Sequence, residues 1–440
     1  MAFSLHGVHV PHRKHTADRG AVFMDPPKTV TIPMSMHIGA PARPIVRVGD
    51  QVRIGTKIAE AGGAVSVPMH ASVSGTVKKI ADFPLSNGGM TSAVVIESDG
   101  EMALDESLTP PTVNSREDLV RAILESGVVG LGGAGFPTHI KFNADPARIE
   151  VLVINGAECE PYITSDTYTM QEKNEEISVS LRAMAKYLGI KNVVVGIESN
   201  KKGAIESMKR LAESLRDACS MEVKVLPAIY PQGGEKVLIY HTTGRVVPVG
   251  KLPLDAGCIV VNCTTLAAIG GYLTTGKPLV NKCVTVDGGA VAEPKNVIVP
   301  IGTAFSEVFA FCGGLKSEPK RVLYGGPMMG ISVPDLNAPI LKNTNAILAL
   351  TQKEISIPKQ TACIRCGTCA NVCPFGLSPA EIARAYEKKD ADGLKNLSLN
   401  ACMECGCCSF GCPAARPLVQ TNKLAKAFLR EESMKEEKKA

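Results

Sequence analysis

The chain has 440 residues, more than a single hydrophobic core organises, and its 45% apolar and 21% charged content excludes a disordered polymer. A formal net charge of +5, no Trp and only 4% aromatic residues leave neither a phosphate-neutralising patch nor stacking platforms, so nucleic-acid binding is not expected. Fifteen cysteines in so long a chain exclude a small secreted disulfide scaffold.

The N-terminus has no continuous apolar run of the signal-peptide kind. Residues 1–110 are rich in Pro, Gly, Val and Ile, and alternate apolar with polar residues over 44–58 and 73–80, which predicts a small all-β unit. From Ser115 the pattern changes. Helical spacing at 118–126 leads into a glycine loop; buried strands are expected at 151–154 and 193–197 and a further strand at 221–226, with helices at 174–188 and 204–218 between them. Short apolar strands alternating with helices predict an α/β domain with a mostly parallel sheet. The most apolar stretch, 258–273, is broken by Asn262, Thr264, Thr265, Gly270 and Gly271, and falls short of the ~20 residues that span a bilayer. The chain should therefore be soluble by itself, with no transmembrane segment of its own, and meet a membrane only through partners. Residues 278–335 return to β texture, with strands at 284–286, 297–300 and 322–324, one helix near 305–312, and tight turns at 325–330. Short helices are expected over 360–430, where Ser378, Pro379 and Glu381 read as an N-cap, N1 residue and capping box. A last helix at 418–429 should pack on its own domain, and the charge run 431–440 reads as a frayed, solvated end.

The chemistry is concentrated in the cysteines. Cys363, Cys366, Cys369, Cys373 and Pro374 form C-x2-C-x2-C-x3-C-P, and Cys402, Cys405, Cys408, Cys412 and Pro413 repeat it. Three thiolates at this spacing wrap three corners of a 4Fe–4S cubane, and the fourth reaches the other cluster. One cluster should use Cys363, Cys366, Cys369 and Cys412; the other should use Cys402, Cys405, Cys408 and Cys373. Zinc, with four ligands per site, would explain neither the third Cys nor the trailing Pro. Cys407 is left over, and the six scattered cysteines read as small buried hydrophobes. Paired clusters make an electron wire, and thiols that must stay reduced point to the cytosol.

The loop 130–137 contains a literal GxGxxG, but a helix precedes it and Pro137 follows at once, so the usual dinucleotide fingerprint fails on context. Small residues there still bring N–H groups close to an anion or a flat ring. The stretch 130–142 resembles the flavin-binding loop of the NADH-oxidising flavoprotein subunit of respiratory complex I. The resemblance continues through Asn155, Glu158, Glu160 and Pro161, through Tyr230, Gly233, Glu235 and Lys236, and through Asn262 and Thr265. Leu131, Ala157 and Gly234 stand where that family has Arg, Asp and Glu. The start of the chain, with His6, His9, Pro11, Lys14 and Thr16, is similar to the RnfC family, which belongs to the membrane-bound Rnf NAD:ferredoxin oxidoreductases, and the order of parts agrees. The implied fold is multidomain α/β. It comprises an N-terminal barrel-sandwich-like β domain (1–112, resembling a lipoyl carrier without its lysine), an α/β FMN/NADH domain (113–270), a β-grasp-like (SLBB-like) segment (271–355) and a C-terminal α-helical double-cluster ferredoxin domain (356–440).

The resemblance also implies the function. An enzyme subunit would exchange hydride with NAD(H) at FMN and pass single electrons through two 4Fe–4S clusters to partner subunits. The expected partners are integral-membrane and ferredoxin-type subunits of an ion-pumping complex, at the cytoplasmic side of the membrane. Cofactor contacts are expected from Gly130, Gly132, Gly133, Gly135, Phe136, Lys141, Asn155, Glu158, Glu160, Tyr230, Gly233, Glu235, Asn262 and Thr265. No protein side chain is expected to supply acid–base catalysis. Two other readings stand beside it. A cobalamin reductase of the propanediol-utilisation type has similar domains but carries its β unit after the flavin domain. A flavin-free iron–sulfur relay would leave the glycine loop structural.

Overall fold

The computed structural model describes residues 6–85, 88–356 and 358–437. At its centre lies a four-stranded sheet of Ser220–Leu226, Asn192–Glu198, Val151–Asn155 and Cys258–Asn262 in that spatial order, every pair parallel. Both faces are covered. Leu152, Ile154, Val193, Val195, Ile197, Ile259 and Val261 enter the large core under the helices Asn174–Tyr187, Lys202–Ser214 and Cys263–Thr275. The alternate residues Val153, Val194 and Val260 pack under Leu238 and Ile239 of the helix Glu235–Thr243. This two-sided burial is why Asn192–Glu198, Val151–Asn155 and Cys258–Asn262 read as apolar runs, whereas the edge strand Ser220–Leu226 alternates. The broken stretch 258–273 is a buried strand followed at once by a helix.

Before this domain stands a β sandwich. One sheet orders Thr29–Pro33, Met90–Ser98, Gly75–Pro84 and Gln51–Val52; the other orders Arg43–Pro44, Lys57–Glu60 and Met69–His70. Where a carrier domain would present its lysine, Val67, Met69 and His70 are buried. Pro68 O accepts a hydrogen bond from Lys342 Nζ at 2.9 Å, and Gly127 O accepts another at 2.7 Å. One buried ammonium thus ties three units together, and burial lowers its pKa to about 7.

A six-stranded mixed sheet follows, in the order Ala21–Phe23, Lys295–Pro300, Asn281–Asp287, Ala346–Leu350, Arg321–Tyr324 and Ile331–Ser332, with the helix Phe305–Phe311 against it. Its edge strand Ala21–Phe23 comes from the N-terminus, so the residues ahead of the sandwich run across its neighbours. The C-terminal unit is helical: Thr368–Asn371, Pro379–Glu387, Ala391–Asn396, Cys407–Phe410 and Leu418–Glu437 surround Leu377, Ile382, Leu394, Leu399, Ala425 and Leu429.

Two local expectations are corrected. Ser378 starts its helix without a side-chain cap hydrogen bond, and Glu381 lies 3.7 Å from Arg384, so no capping box forms. The charge run is not frayed through 437; it continues the last helix, with Lys435 paired to Glu432 one turn back at 2.7 Å. Residues 438–440 lie outside the described residues. Among the described residues no helix is long and apolar enough to cross a membrane.

Candidate functional site

The two cysteine motifs fold alike. Arg365 and Gly367 in the first, and Glu404 and Gly406 in the second, take left-handed φ of +55°, +77°, +61° and +84°, which curls each loop so that its thiols converge. Cys402, Cys405, Cys408 and Cys373 line one cavity together with the fifth sulfur of Cys407 and with Pro374, Leu377, Val419 and Asn422. Cys373 lies near enough to Cys405 and Cys402 to feel their charge, and Cys408 feels all three. In the other lobe Cys369 lies beside Cys412, while Cys363 and Cys366 are exposed. The fourth cysteine of the first motif thus sits with the second motif's three, and that of the second motif sits beside Cys369 of the first. Among the described residues no three His, Cys, Asp or Glu side chains close on one metal ion. Thiols arranged around a space suit a cluster, which is wider than an ion. Asn422 Nδ2 donates to Cys402 Sγ at 3.4 Å and Lys426 Nζ to Cys402 O at 2.6 Å, fixing the inner lobe against the last helix.

The glycine loop lies over the carboxyl ends of the central strands. Gly130 N donates to Phe136 O at 2.8 Å and closes the turn. A side chain at Gly132 would strike the Asn262 amide, whereas one at Gly133 would meet nothing, so the exposed backbone at 133 is free to be approached. Gly135 O accepts from Ile38 N of the sandwich at 3.1 Å, and Gly133 O accepts from Asn343 Nδ2 at 3.0 Å. Two other units therefore hold the loop. Phe136 is half-buried beside it. Lys141 donates to Val260 O at 2.8 Å and reaches Glu235 at 3.3 Å, which brings the helix at Glu235 next to the loop. Asn262 caps the helix Cys263–Thr275 by accepting from Thr264 N and Thr265 N, and its amide donates to Asp166 at 2.7 Å. Thr265 Oγ1 accepts from Leu131 N at 3.0 Å. Exposed glycine backbone, an ammonium and the start of a thirteen-residue helix at the ends of parallel strands fit a phosphate-bearing flavin.

The acidic motif is more engaged than its sequence implies. Asn155 Nδ2 donates to Gly233 O at 2.9 Å, joining two of the motifs. Glu158 is buried and accepts from Asp166 N and Thr167 Oγ1, each at 2.8 Å, so it holds the start of the helix Ser165–Glu172. Burial raises its pKa. Glu160 accepts from Met328 N at 3.0 Å and Met329 N at 2.7 Å; burial pushes it up to about 7. The turns at 325–330 are thus the partner of an acidic side chain, a role their Gly and Pro content does not reveal.

Sequence reading also missed what lies beneath. Lys14 Nζ donates to Glu158 O and Glu160 O at 2.8 Å and to Ile163 O at 2.5 Å, clamping the acidic motif from below. Thr16 and Thr164 share a hydroxyl contact of 2.5 Å. Val8 bridges Tyr230 in antiparallel fashion, and His6 Nδ1 lies 2.7 Å from Asn371 O in the cysteine unit. Tyr230 is buried and donates its hydroxyl to Cys405 O at 2.7 Å. Cys159 Sγ accepts from Gly233 N at 3.3 Å, with burial raising its pKa to about 12. The repeated His and Lys at the start of the chain were the only signal of this layer.

Comparison with known proteins accords with this geometry. Residues 3–101 match the RnfC barrel sandwich hybrid domain, 123–271 the Nuo51 FMN-binding domain, 283–332 the SLBB domain and 356–413 the 4Fe-4S dicluster domain. The RnfC-type subunit of the Na(+)-translocating ferredoxin:NAD(+) oxidoreductase complex of Acetobacterium woodii is 42% identical over 96% of this chain and 95% of its own. The proton-translocating counterpart of Clostridium ljungdahlii is 41% identical over 87% of this chain and 84% of its own. The corresponding subunit of the ion-translocating oxidoreductase complex of Rhodobacter capsulatus is 41% identical over 98% and 84%. A crystal structure of an air-oxidized NAD+-reducing NiFe-hydrogenase shares the fold, with a TM-score of 0.52 and 20% identity, covering 72% of this chain and 64% of that one. With its domains in this order and relatives alike over nearly its whole length, the chain belongs to the RnfC family of ion-translocating oxidoreductase subunits.

Proposed function

We propose that the chain is the electron-transfer subunit that connects NAD(H) to an ion-translocating ferredoxin:NAD oxidoreductase complex. Bound FMN would supply the conversion between a two-electron hydride donor and one-electron iron–sulfur carriers. The protein's contribution is placement. The exposed backbone at Gly132 and Gly133 lies beside the start of the helix Cys263–Thr275, whose dipole favours a phosphate there, and Lys141 adds a cation near them. Gly133 leaves space for a flat ring, and Phe136 borders that space. Asn155, Gly233 and Glu235 hold the loops opposite in register.

The contact from Tyr230 to Cys405 carries this reading, because it fixes one cysteine lobe directly against a flavin-domain motif. It supports Cys402, Cys405, Cys408 and Cys373 as ligands of a cluster facing the flavin, and Cys363, Cys366, Cys369 and Cys412 as ligands of an outer one. The exposure of Cys363, Cys366 and Ile364 supports the outer lobe as the face that meets a ferredoxin-type subunit. Integral-membrane subunits would then hold the chain at the cytoplasmic face. Iron, sulfide and FMN per chain, measured on protein isolated without oxygen, test this together with bleaching of the visible bands by NADH. Two clusters, one flavin and bleaching are expected; a colourless or zinc-loaded chain overturns it.

A further inference from the structure

The segment 6–16, marked in sequence by His6, His9, Pro11, Lys14 and Thr16, supplies none of the expected cofactor contacts, yet it lies along the seam between the flavin domain and the cysteine unit. One end is anchored beneath the acidic motif. Lys14 Nζ donates to the carbonyls of Glu158, Glu160 and Ile163, and Thr16 meets Thr164. The other end is bound to Tyr230 through both backbone groups: Val8 N donates to Tyr230 O at 2.8 Å, and Tyr230 N to Val8 O at 3.1 Å. Gly7 runs so close that a Cβ built there would lie 2.4 Å from Tyr230 O, and its φ is +157°, so only glycine fits. From there the segment reaches across the seam. His6 Nδ1 donates to Asn371 O at 2.7 Å, on the helix Thr368–Asn371 of the first cysteine motif. Val8 and Val10 are buried in one apolar cluster with Tyr230, Cys405 and Cys407, on which Val372 and Met403 pack.

Tyr230 is where the two sides meet. Its carbonyl oxygen accepts from Val8 N on one side and from Cys407 Sγ, at 3.8 Å, on the other. Its hydroxyl donates to Cys405 O at 2.7 Å. Cys407, which the motif spacing leaves without a cluster, thus has its partner in the flavin domain. Three roles are open to the segment: a wall of the flavin cradle, a filler of the seam, or a strut that fixes one unit against the other. The expected flavin contacts lie within 130–142, 155–160, 230–235 and 262–265, and none falls in 6–10. A filler would bury its valines without spending paired backbone hydrogen bonds on a single residue. Residues 6–10 bond the very residue that holds Cys405 and Cys407, and they bond the other cysteine motif as well. Electron transfer between carriers falls steeply with their separation, so a seam held in this way holds a rate.

Resting on the functional reading above, we propose that residues 6–10 are a positioning strut: by seating Tyr230 they set the gap across which each electron leaves the reduced flavin and reduces the cluster on Cys373, Cys402, Cys405 and Cys408. His6 steadies the outer lobe from the same strut. NADH supplies the two electrons as hydride, and the strut touches neither that step nor the ligands.

The test uses the full chain, isolated without oxygen, as parent, Gly7→Ala, Val8→Pro, His6→Ala and His6→Gln. Iron, sulfide and FMN are counted, each cluster is titrated potentiometrically, and rapid mixing with NADH follows flavin bleaching and cluster reduction separately. In the parent the clusters should follow the flavin without a lag. Gly7→Ala puts a methyl group against Tyr230 O, and Val8→Pro deletes the N–H that this oxygen accepts. Both should keep their cofactors, their cluster potentials and the parent's rate of flavin bleaching, while cluster reduction slows several-fold. His6→Ala should show a smaller lag, and His6→Gln, whose amide can still donate to Asn371 O, should recover the parent's behaviour. Clusters in step with the flavin in Gly7→Ala, Val8→Pro and His6→Ala alike would overturn the proposal. A lag accompanied by shifted cluster potentials would overturn it too, because driving force and not distance would have changed. Loss of flavin or iron from both Gly7→Ala and His6→Ala would make the segment a support of the cofactor sites themselves, which also overturns it. Where Val8→Pro does not fold, the His6 pair decides. A parent chain without iron or flavin would instead sink the functional reading itself.

Discussion

The two cysteine lobes share one motif and live in opposite surroundings. Cys363 and Cys366 face solvent, with Ile364 66% exposed between them. Cys405 and Cys407 are buried with Val8, Val10 and Tyr230, and Cys408 with Ala383, Leu418 and Val419. Residue spacing chooses ligands, because a thiol either reaches a corner or does not. Environment chooses roles, because hydrogen bonds and exposure set potential and access. A motif duplicated in sequence has become an inner and an outer station.

The largest effect should come from breaking one station at a time. Cys366→Ser should remove the outer cluster while NADH still reduces the inner one, leaving one cluster signal. Cys405→Ser should remove the inner cluster and, with the outer one stranded, abolish rapid cluster reduction altogether. NADH oxidation by a dye that accepts electrons at the flavin should persist in both. Rapid NADH reduction of the outer cluster in Cys405→Ser would reverse the assignment of inner and outer.

The inner station also depends on the layer below it. Lys14→Met removes the ammonium that three carbonyls share and leaves them unpaired at Glu158, Glu160 and Ile163. A cost of about 2–3 kcal/mol is expected, with weakened flavin retention during gel filtration. The outer lobe's potential should not move. Tyr230→Phe is milder. It unpairs Cys405 O, which should cost about 1–2 kcal/mol, read as faster hydrogen exchange over 402–412 than in the parent, with 363–373 unchanged.

This contrast explains what the sequence disclosed. The 4Fe-4S dicluster domain was legible because cubane geometry is written in local spacing, and the central sheet because burial on both faces forces apolar runs over 151–155, 192–198 and 258–262. The cofactor motifs became legible through their resemblance to a family. What stayed hidden is contact between distant segments. Nothing in a Gly-Gly-Pro-Met-Met-Gly stretch announces that its amides will bind Glu160, and nothing in Asn343 announces that it will hold Gly133. Glu158 looked like an acid offered to a ligand, yet its oxygens are held by Asp166 N and Thr167. The capping box at Ser378 failed because a capping pattern states a preference only: Ser378 makes no side-chain cap, and Glu381 faces Arg384. Strand and helix follow from periodicity; which side chain spends its hydrogen bonds inward follows only from the packed fold.

A last expected effect is a pH dependence at the same seam. Burial raises Glu160 to about 7, above its ordinary 4.5, against the opposing pull of two amide donors. Between those values the folded chain holds a proton that the unfolded chain has released. Glu160 therefore contributes stability that is complete below pH 4.5 and is lost as pH rises through 7. Glu160→Gln keeps an oxygen for Met328 N or Met329 N and cannot titrate. The difference in thermal midpoint, parent minus Glu160→Gln, should fall steadily from about pH 4.5 to about 7.5 and then level off. A flat difference would mean that the two amides hold the carboxylate charged throughout. The contact between Glu160 and the 325–330 turns would then be an ordinary anion–amide pair and not a proton-sensitive part of the inner station.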